Sequence, residues 1–529
     1  MEIKSVSFCS FFCRKATAGK LRFSAIGRHA GYKSGLWAVL SHGRYPWAPS
    51  VFSGIFAVFL FFLSGCVKTP SSPETPADFR RFFAHTGQQP PLQRGDLLTL
   101  TAAIETALAN NPTNQRAVQS VYAAKYSYDQ ALSAYLPEIN AGYSLGHTLS
   151  RGWDLKDPPE GMLRKNNHFV TSGTLRTTFL LFDGFARELD RLISLQEYQK
   201  SIELSRNVKR LLKRAVSYAY YDMYLAGEEI KIHQADLAFQ NAALQQEEQR
   251  FLSGHVSKAS VLNFKIFAAR ARSHIRQAEY RKKTALHALT ALMGCGHWQI
   301  PENLTLQKIV TDPLPDLRED DFYLELAVNN RPDLKAEKIL LEIARLNRQK
   351  VYAGFLPAIH LFAEFSLDTY QARYSHSSAH GNLRGFSYGA AGSWNLFKGF
   401  ETVSRLRRQT VLERIALWEV ANKFLEISAE IKDACANCKN AHYQVRIFQD
   451  MTEWVREQRD LVFSEYRNGR ETITRLNEAQ SVLIEAQSRL IVSAIEFNKA
   501  AIQLAAASGR DISAIVGLKK KPSTSISAP

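Results

Sequence analysis

The apolar positions of this chain follow two different rhythms, and the pair of rhythms occurs twice. Helical spacing runs over 102–135 and again over 321–355, and each stretch ends at a Leu-Pro pair, Leu136-Pro137 and Leu356-Pro357. Proline drives the residue before it out of the helical region, so a helix is predicted to stop there. The spacing then changes to period two, with Tyr, Phe, Val, Thr and Gly alternating as in half-buried strands. The predicted strands are Glu138 to Ser150 with His168 to Phe182, and Ala358 to Asp368 with Gly385 to Phe397. Each is close to the ~9–11 residues of a tilted membrane strand. Polar loops, Arg151 to Asn167 and Thr369 to Arg384, join the members of each pair. Proline-free helical stretches follow, from Gly184 to Leu252 and from Gly399 to Arg467, each ~100 Å long at 1.5 Å per residue. Gly254 and Asn468-Gly469 punctuate them as left-handed caps would, and a last helix in each copy runs to Gly294 and Gly509.

The repetition is internal duplication. Ala107-Leu-Ala-Asn-Asn-Pro112 recurs as Ala327-Val-Asn-Asn-Arg-Pro332, and Tyr135-Leu-Pro137 as Phe355-Leu-Pro357, both at an offset of 220. Phe182-Asp-Gly-Phe185 recurs as Phe397-Lys-Gly-Phe400 at 215, as do Phe251 with Tyr466, Gly254 with Gly469 and Gly294 with Gly509. The length change therefore lies between Pro137 and Phe182. The chain divides into a leader (1–65), a linker (66–97), repeat one (98–294), an inter-repeat segment (295–320), repeat two (321–509) and a tail (510–529).

The last helix of repeat two carries a heptad of Leu476, Leu483, Leu490, Phe497 and Leu504, with Ala479, Ala486, Ser493, Ala500 and Ala507 three positions on. Repeat one matches it with Val261, Ala268, Ile275, Lys282 and Leu289 beside Phe264, Ala271, Ala278, Ala285 and Leu292, with Lys282 as the single break. Large and small residues alternating at a 3.5 period specify close coiled-coil packing. The first and last helices of a copy together match the long middle helix, so stacked end to end they would run beside it. Four strands cannot close a barrel, and open edges are not viable in lipid. Several chains must share one barrel: two would give eight strands, three twelve.

Composition adds the compartment. A hydrophobic content of 45% and a charged content of 22% are those of a folded chain. The long apolar run, Val51 to Leu63, ends in Leu63-Ser-Gly-Cys66, followed by Val67 and a Pro/Ser/Thr-rich stretch. That is a secretory signal pattern, and Leu-Ser-Gly-Cys resembles the bacterial lipoprotein box, with Cys66 the lipid-bearing residue and Val67 the outer-membrane sorting type. An ordinary signal peptide or an uncleaved anchor is the alternative. The segment ahead of the apolar run exceeds a normal leader, so either the start codon lies downstream of Met1 or the leader is extended. One acyl chain holds only marginally. Of the net charge of +17, residues 1–65 hold eight basic side chains against one acidic. The remainder is scattered along helices without aromatic clustering, a solvated surface with no nucleic-acid partner implied.

The order of Asn-Asn-Pro, Leu-Pro before the strands, Phe-x-Gly after them and the Gly469–Gln480 run resembles the TolC-like outer membrane efflux family, over about Leu98 to Gly509; the lipobox resembles that of its lipid-anchored branch. The resemblance implies a mainly α fold with membrane β-strands, and a homotrimeric 12-stranded β-barrel on a long α-helical barrel. It further implies an outer-membrane location reaching into the periplasm, an equatorial collar from 295–320 and the tail, and function as the outer-membrane channel of a tripartite efflux system with a periplasmic adaptor and an inner-membrane pump. No cofactor is implied beyond a covalent lipid on Cys66. The turns at Gly254 and Gly469, with Ser257 and Thr472, correspond to the periplasmic tips that contact the adaptor. The constriction's tyrosine falls on Tyr466. The basic latch position falls on Glu471, with Arg470 one earlier; the acidic positions fall on Arg475 and Glu478, and the acidic partner in repeat one on Ser260. A salt-bridged latch of the family's kind is therefore not expected; Arg470, Glu471, Arg475 and Glu478 would form either a local charge network or solvated tip charges.

No phosphate loop, nucleophile elbow or two-His metal helix occurs, so enzymatic chemistry is not expected. Cys435-Ala-Asn-Cys438 is a lone pair inside a helix, either a redox or metal motif or small residues at a helix contact. His376 and His380 fall in a predicted loop, where a metal pair or plain exposure are the alternatives. Beside small-molecule efflux stand a type I protein-secretion channel, which the lipobox disfavours, and a non-pore periplasmic coiled-coil adaptor, which leaves the strand pairs unexplained.

Overall fold

Proline divides the first helix of each repeat. The computed structural model describes residues 97–153, 163–295, 305–307, 318–373 and 378–510. The chain separates into Met1–Ser72 and Pro73–Pro529, and every described residue belongs to the second. A short strand β1 (Leu97–Leu98) leads into α1 (Leu100–Asn110) and α2 (Pro112–Ser133), then β2 (Glu138–Trp153), β3 (Leu163–Phe182), α3 (Ala186–Leu252) and α4 (Lys258–Leu292). After β4 (Thr305–Leu306), which pairs in parallel with β1, come α5 (Asp320–Asn330) and α6 (Pro332–Val351), closed by a 3-10 turn at Tyr352–Phe355. The second repeat continues with β5 (Ala358–Arg373), β6 (Ser378–Ser393), α7 (Glu401–Arg467) and α8 (Ile473–Ser508).

The single helices expected over 102–135 and 321–355 are thus each broken in two. Asn111 and Arg331, which precede Pro112 and Pro332, sit at ψ 124° and 121°, because the proline ring excludes the α region from the residue before it. The freed geometry is used. Asn111 caps α2, accepting from the amides of Thr113 and Asn114, while its own Nδ2 donates to the Leu292 carbonyl at 2.8 Å. Arg331 makes the equivalent bond to Ala507 at 3.1 Å. Gly294 and Gly509, both at positive φ, end α4 and α8 against these breaks. A Cβ on Gly294 would lie 2.5 Å from the Asn110 carbonyl oxygen. In each repeat the two short helices therefore abut end to end beside the long one, as their lengths anticipate.

The four long strands form one antiparallel sheet in the order β2-β3-β5-β6. They run 16, 20, 16 and 16 residues, longer than expected. Within the expected loops, Arg151 to Asn167 and Thr369 to Arg384, the described residues 151–153, 163–167, 369–373 and 378–384 are strand, and β6 ends at Ser393 rather than Phe397. Register puts Ala141, Leu175, Phe365 and Phe386 in one row, with Tyr143, Leu367 and Tyr388 on the same face. The opposite face carries Ser144, Ser172, Asp368, Arg176 and Glu364, where the Ser172 hydroxyl donates to Asp368 and Arg176 lies 3.7 Å from Glu364. On β5, Phe365 and Leu367 are exposed while Ser366 and Asp368 are half-buried, as on the outside and inside of a curve. Past Leu367 the apolar face turns polar at Thr369, Gln371, Asn382 and Arg384. The apolar stretch of β5, Ile359 to Leu367, is thus of membrane length although the strand is not.

The helices pack as two hairpins, α3–α4 and α7–α8, joined through α3 and α8. The heptads lie inward: Leu476, Ala479, Leu483, Ala486, Phe497, Ala500, Leu504 and Ala507 are buried, as are Val261, Phe264, Ala268, Ala271, Ala278 and Leu289. Nearer the sheet, α6 lies between α3 and α7. One apolar core surrounds Leu98, Val216, Tyr220, Met223, Leu289 and Ile502, and a second joins Tyr323, Leu334, Ile427, Ile431 and Phe497. Tyr220 donates its hydroxyl to the Leu98 carbonyl at 3.0 Å, fastening β1 to α3. By composition α8 is apolar enough to cross a membrane, but half of its most apolar window is buried in the bundle, so it is a core helix.

Candidate functional site at the helix turns

Each hairpin reverses at a glycine. Gly254 (φ 76°) and Gly469 (φ 73°) follow the ends of α3 and α7, and the next amides, His255 and Arg470, return to the carbonyls of Arg250 and Glu465 at 2.9 Å. A Cβ at either glycine would meet nothing within 4 Å, so the left-handed backbone, not crowding, selects glycine. Ser257 then caps α4, accepting from the Ser260 amide, and Thr472 caps α8, accepting from the Arg475 amide at 3.2 Å. The residues that punctuate the sequence are thus the ones that turn the chain.

Four helices meet just above these turns in a small apolar cluster of Ala243, Phe264, Val462, Leu476 and Ala479, with Phe239, Phe463 and Tyr466 packed against it. Tyr466, in the last turn of α7, donates its hydroxyl to Glu247 Oε2 at 2.9 Å. Glu247, on α3, is only 2% exposed. Arg250 approaches the same oxygen at 3.5 Å and lies 5.9 Å from the Tyr466 ring centroid. Burial first, and then the bond to Glu247, push the Tyr466 phenol above its ordinary value. The tie crosses between repeats, α3 to α7, and neither Glu247 nor Arg250 stands out in the sequence. Both are helix residues in an unremarkable charged run, more than 200 positions from Tyr466.

The other tip residues are dispersed. Arg475 pairs with Glu478 at 3.0 Å, with both side chains about half exposed; such a pair contributes ~0–1 kcal/mol. The Glu471 carboxylate accepts from the amide of Thr472 at 3.3 Å, and Ser260 Oγ lies 3.4 Å from Ser257 Oγ. Among the described residues Arg470 makes no ion pair. The four charges thus resolve into one surface pair, one carboxylate bonded to a neighbouring amide, and Arg470 outside both. A patch of like composition lies along α7 just above the turn, lined by Glu453, Arg456, Glu457, Asp460 and Leu461.

Cys435 and Cys438 lie buried in the core with Ile431, Tyr323 and Phe497. Burial pushes both thiols up to about 11, away from the thiolate that redox or metal chemistry needs. They are small residues at a helix contact. His380 lies on β6, not in a loop. Cys66, His376 and most of 295–320 and 510–529 fall outside the described residues.

A sheet with one apolar and one polar face, joined to two long helical hairpins with glycine tips, defines a class: a sheet of membrane-strand length carried on long helices. Comparison with known proteins agrees. The profile described as outer membrane efflux protein matches residues 103–295 and 323–510. Similar solved structures include a membrane protein from Pseudomonas aeruginosa, at 20% identity and TM-score 0.65 over 78% of this chain and 92% of that one. The outer membrane protein VceC from Vibrio cholerae is 18% identical, TM-score 0.63, covering 78% and 96%. The CmeC outer membrane channel of Campylobacter jejuni is 15% identical, TM-score 0.64, covering 86% and 93%. No curated protein matches. The chain belongs to the outer membrane efflux protein family, whose fold is that of the TolC-like channels.

Proposed function

We propose that the protein is the outer-membrane channel subunit of a tripartite efflux system, a homotrimer exporting small molecules passively through a shared barrel. The observation that carries this reading is that the protomer has two unsealed sides. On one lie the free edge of β2 and the outer faces of α2 and α4; on the other lie the free edge of β6 and the outer face of α7. Both sides expose apolar residues: Tyr122, Tyr126, Ile266 and Tyr280 on the first, Val411, Trp418, Leu425, Trp454 and Leu461 on the second. Two different sides that both need covering call for head-to-tail contacts, which close as a ring. Three copies bring twelve strands, with the Arg176–Asp368 face lining water and the Phe365–Tyr388 face meeting lipid. A coiled-coil adaptor without a pore offers no use for such a sheet. Cys66 supplies a supplementary lipid anchor, and the leader's lipobox favours efflux over protein secretion.

In this reading the turns at Gly254 and Gly469, with Ser257 and Thr472, face the adaptor, which in turn engages an inner-membrane pump. Tyr466 and Glu247 hold the tips together, with Arg470, Glu471, Arg475, Glu478 and Ser260 around them. Planar-bilayer conductance of the purified oligomer tests it. Wild type is expected to conduct weakly, and Tyr466→Phe, which removes the donor reaching Glu247 from the other repeat and leaves only Arg250 beside it, to conduct severalfold more. Absence of conductance from any well-folded oligomer would remove the pore.

A further inference from the structure

Halfway down the first hairpin, His233 of α3 and His274 of α4 stack face to face, with ring centroids 4.9 Å apart and planes 17° from parallel. Buried Ala271 and Ala278 on either side of His274 bring the helices close enough for the contact. His233 is half-buried, and its Nδ1 is enclosed with no hydrogen-bond partner. Four groups face the imidazole of His233: Glu229 and Asp236 from its own helix, His274 and Arg281 from α4. Both acids are already engaged. Glu229 is held by Arg281 at 2.7 Å, and Asp236 accepts from Gln480 of α8 at 2.9 Å and from Gln240 at 3.4 Å. A proton arriving on His233 therefore meets its stacked neighbour and a guanidinium, opposed by two carboxylates that already serve other partners.

We propose that the His233–His274 stack is a pH-sensitive catch on the α3–α4 hairpin, closed while His233 is neutral and released when it takes up a proton. Burial, followed by the field of His274, makes His233 harder to protonate in the closed seam than in water. The catch is thus at full strength above the ordinary His value of ~6.5 and weakens as pH falls through it. The seam below is suited to yielding. Gln240, Asn477 and Gln480 are buried there with unpartnered amide atoms, which water would satisfy on opening. Because Gln480 grips Asp236, one turn from His233, loosening α3 against α4 is transmitted to the second hairpin. That consequence for transport rests on the channel reading; the catch itself does not.

Hydrogen exchange by mass spectrometry on the full-length protein, corrected for intrinsic rates, reads it directly. Peptides within 226–240 and 268–282 are followed at about pH 7.5 and about pH 5.5, one unit either side of the ordinary His value, with 452–464 as the internal reference. Each extra proton bound by the open seam raises its opening up to about tenfold per pH unit. Protection in the two peptides is expected to fall by about an order of magnitude on acidification while the reference holds. His274→Gln and His233→Gln are expected to flatten the response, and the double variant His233→Phe/His274→Phe keeps packed rings should the polar variants fold poorly. Unchanged protection in the wild type, or a response that persists in the double variant, overturns the catch. Conductance of the same samples separates outcomes: a responsive seam in a protein that never conducts would sink the pore and leave the catch standing.

Discussion

Arg331 shows how much one position can carry. Where repeat one has Asn111, repeat two has an arginine that is 3% exposed, held by Asp333 at 2.6 Å, by Glu430 at 2.6 Å and by the Ala507 carbonyl. Arg210 of α3 joins it, reaching Asp333 at 3.5 Å and the Ala506 carbonyl at 2.5 Å. The cluster ties α6, α7 and α8 of one repeat to α3 of the other. Removing the central cation leaves two partly buried carboxylates facing each other, so Arg331→Leu is expected to cost about 3–5 kcal/mol, read as a lowered midpoint in denaturant unfolding. Burial alone would raise the Asp333 carboxyl, but the bonds and charge of Arg331, with the charge of Arg210, hold it below its usual value. Its contribution is therefore complete above the ordinary carboxylate range near ~3.9 and lost as pH falls below it. In Arg331→Leu that acid sensitivity should shrink, because the carboxyl loses the partner that holds it low.

At the scale of elements, glycines of similar φ should respond differently. Gly254→Ala pays only for a left-handed backbone, about 1–2 kcal/mol, because its surroundings are open. Gly294→Ala adds a collision with the Asn110 carbonyl, a further ~1–3 kcal/mol. Thermal unfolding of the two variants should rank them in that order; equal losses would mean that α4 does not abut the α1–α2 break. The long helices, their caps and the heptads were legible because each is a local rule repeated over many residues. Leu136-Pro137 announces a helix end, yet Asn111-Pro112 obeys the same rule without announcing one, since apolar spacing continues on both sides of it. The strands look short in the sequence because alternation fades at Leu367, where the outward face turns polar; the backbone ladder continues regardless of what its side chains meet. The Tyr466–Glu247 tie was not legible at all. It depends on how two helices from different repeats are set against each other, and no local pattern encodes that.

For the whole molecule, the unsealed side along α7 is the decisive surface. Trp418 is 74% exposed and, with Leu334, Leu417, Phe424 and Leu425, lines an apolar groove of about 560 Å³ between α6 and α7. Trp418→Asp places a charge there without touching the core. It is expected to leave the helical content unchanged and, on the channel reading proposed above, to shift the detergent-solubilised protein from trimer to monomer in native mass spectrometry. An unaltered trimer would assign the groove to some other occupant. The equal lengths of α3 and α7, 67 residues each, have a consequence of their own. The two hairpins act as matched legs of one ruler. Each residue inserted into a single leg would drop its turn ~1.5 Å below the other, pulling Tyr466 from Glu247 and out of the apolar cluster it packs against. Evolution can change the reach of this molecule only by editing both repeats in step, so its duplication, once fixed, constrains its length.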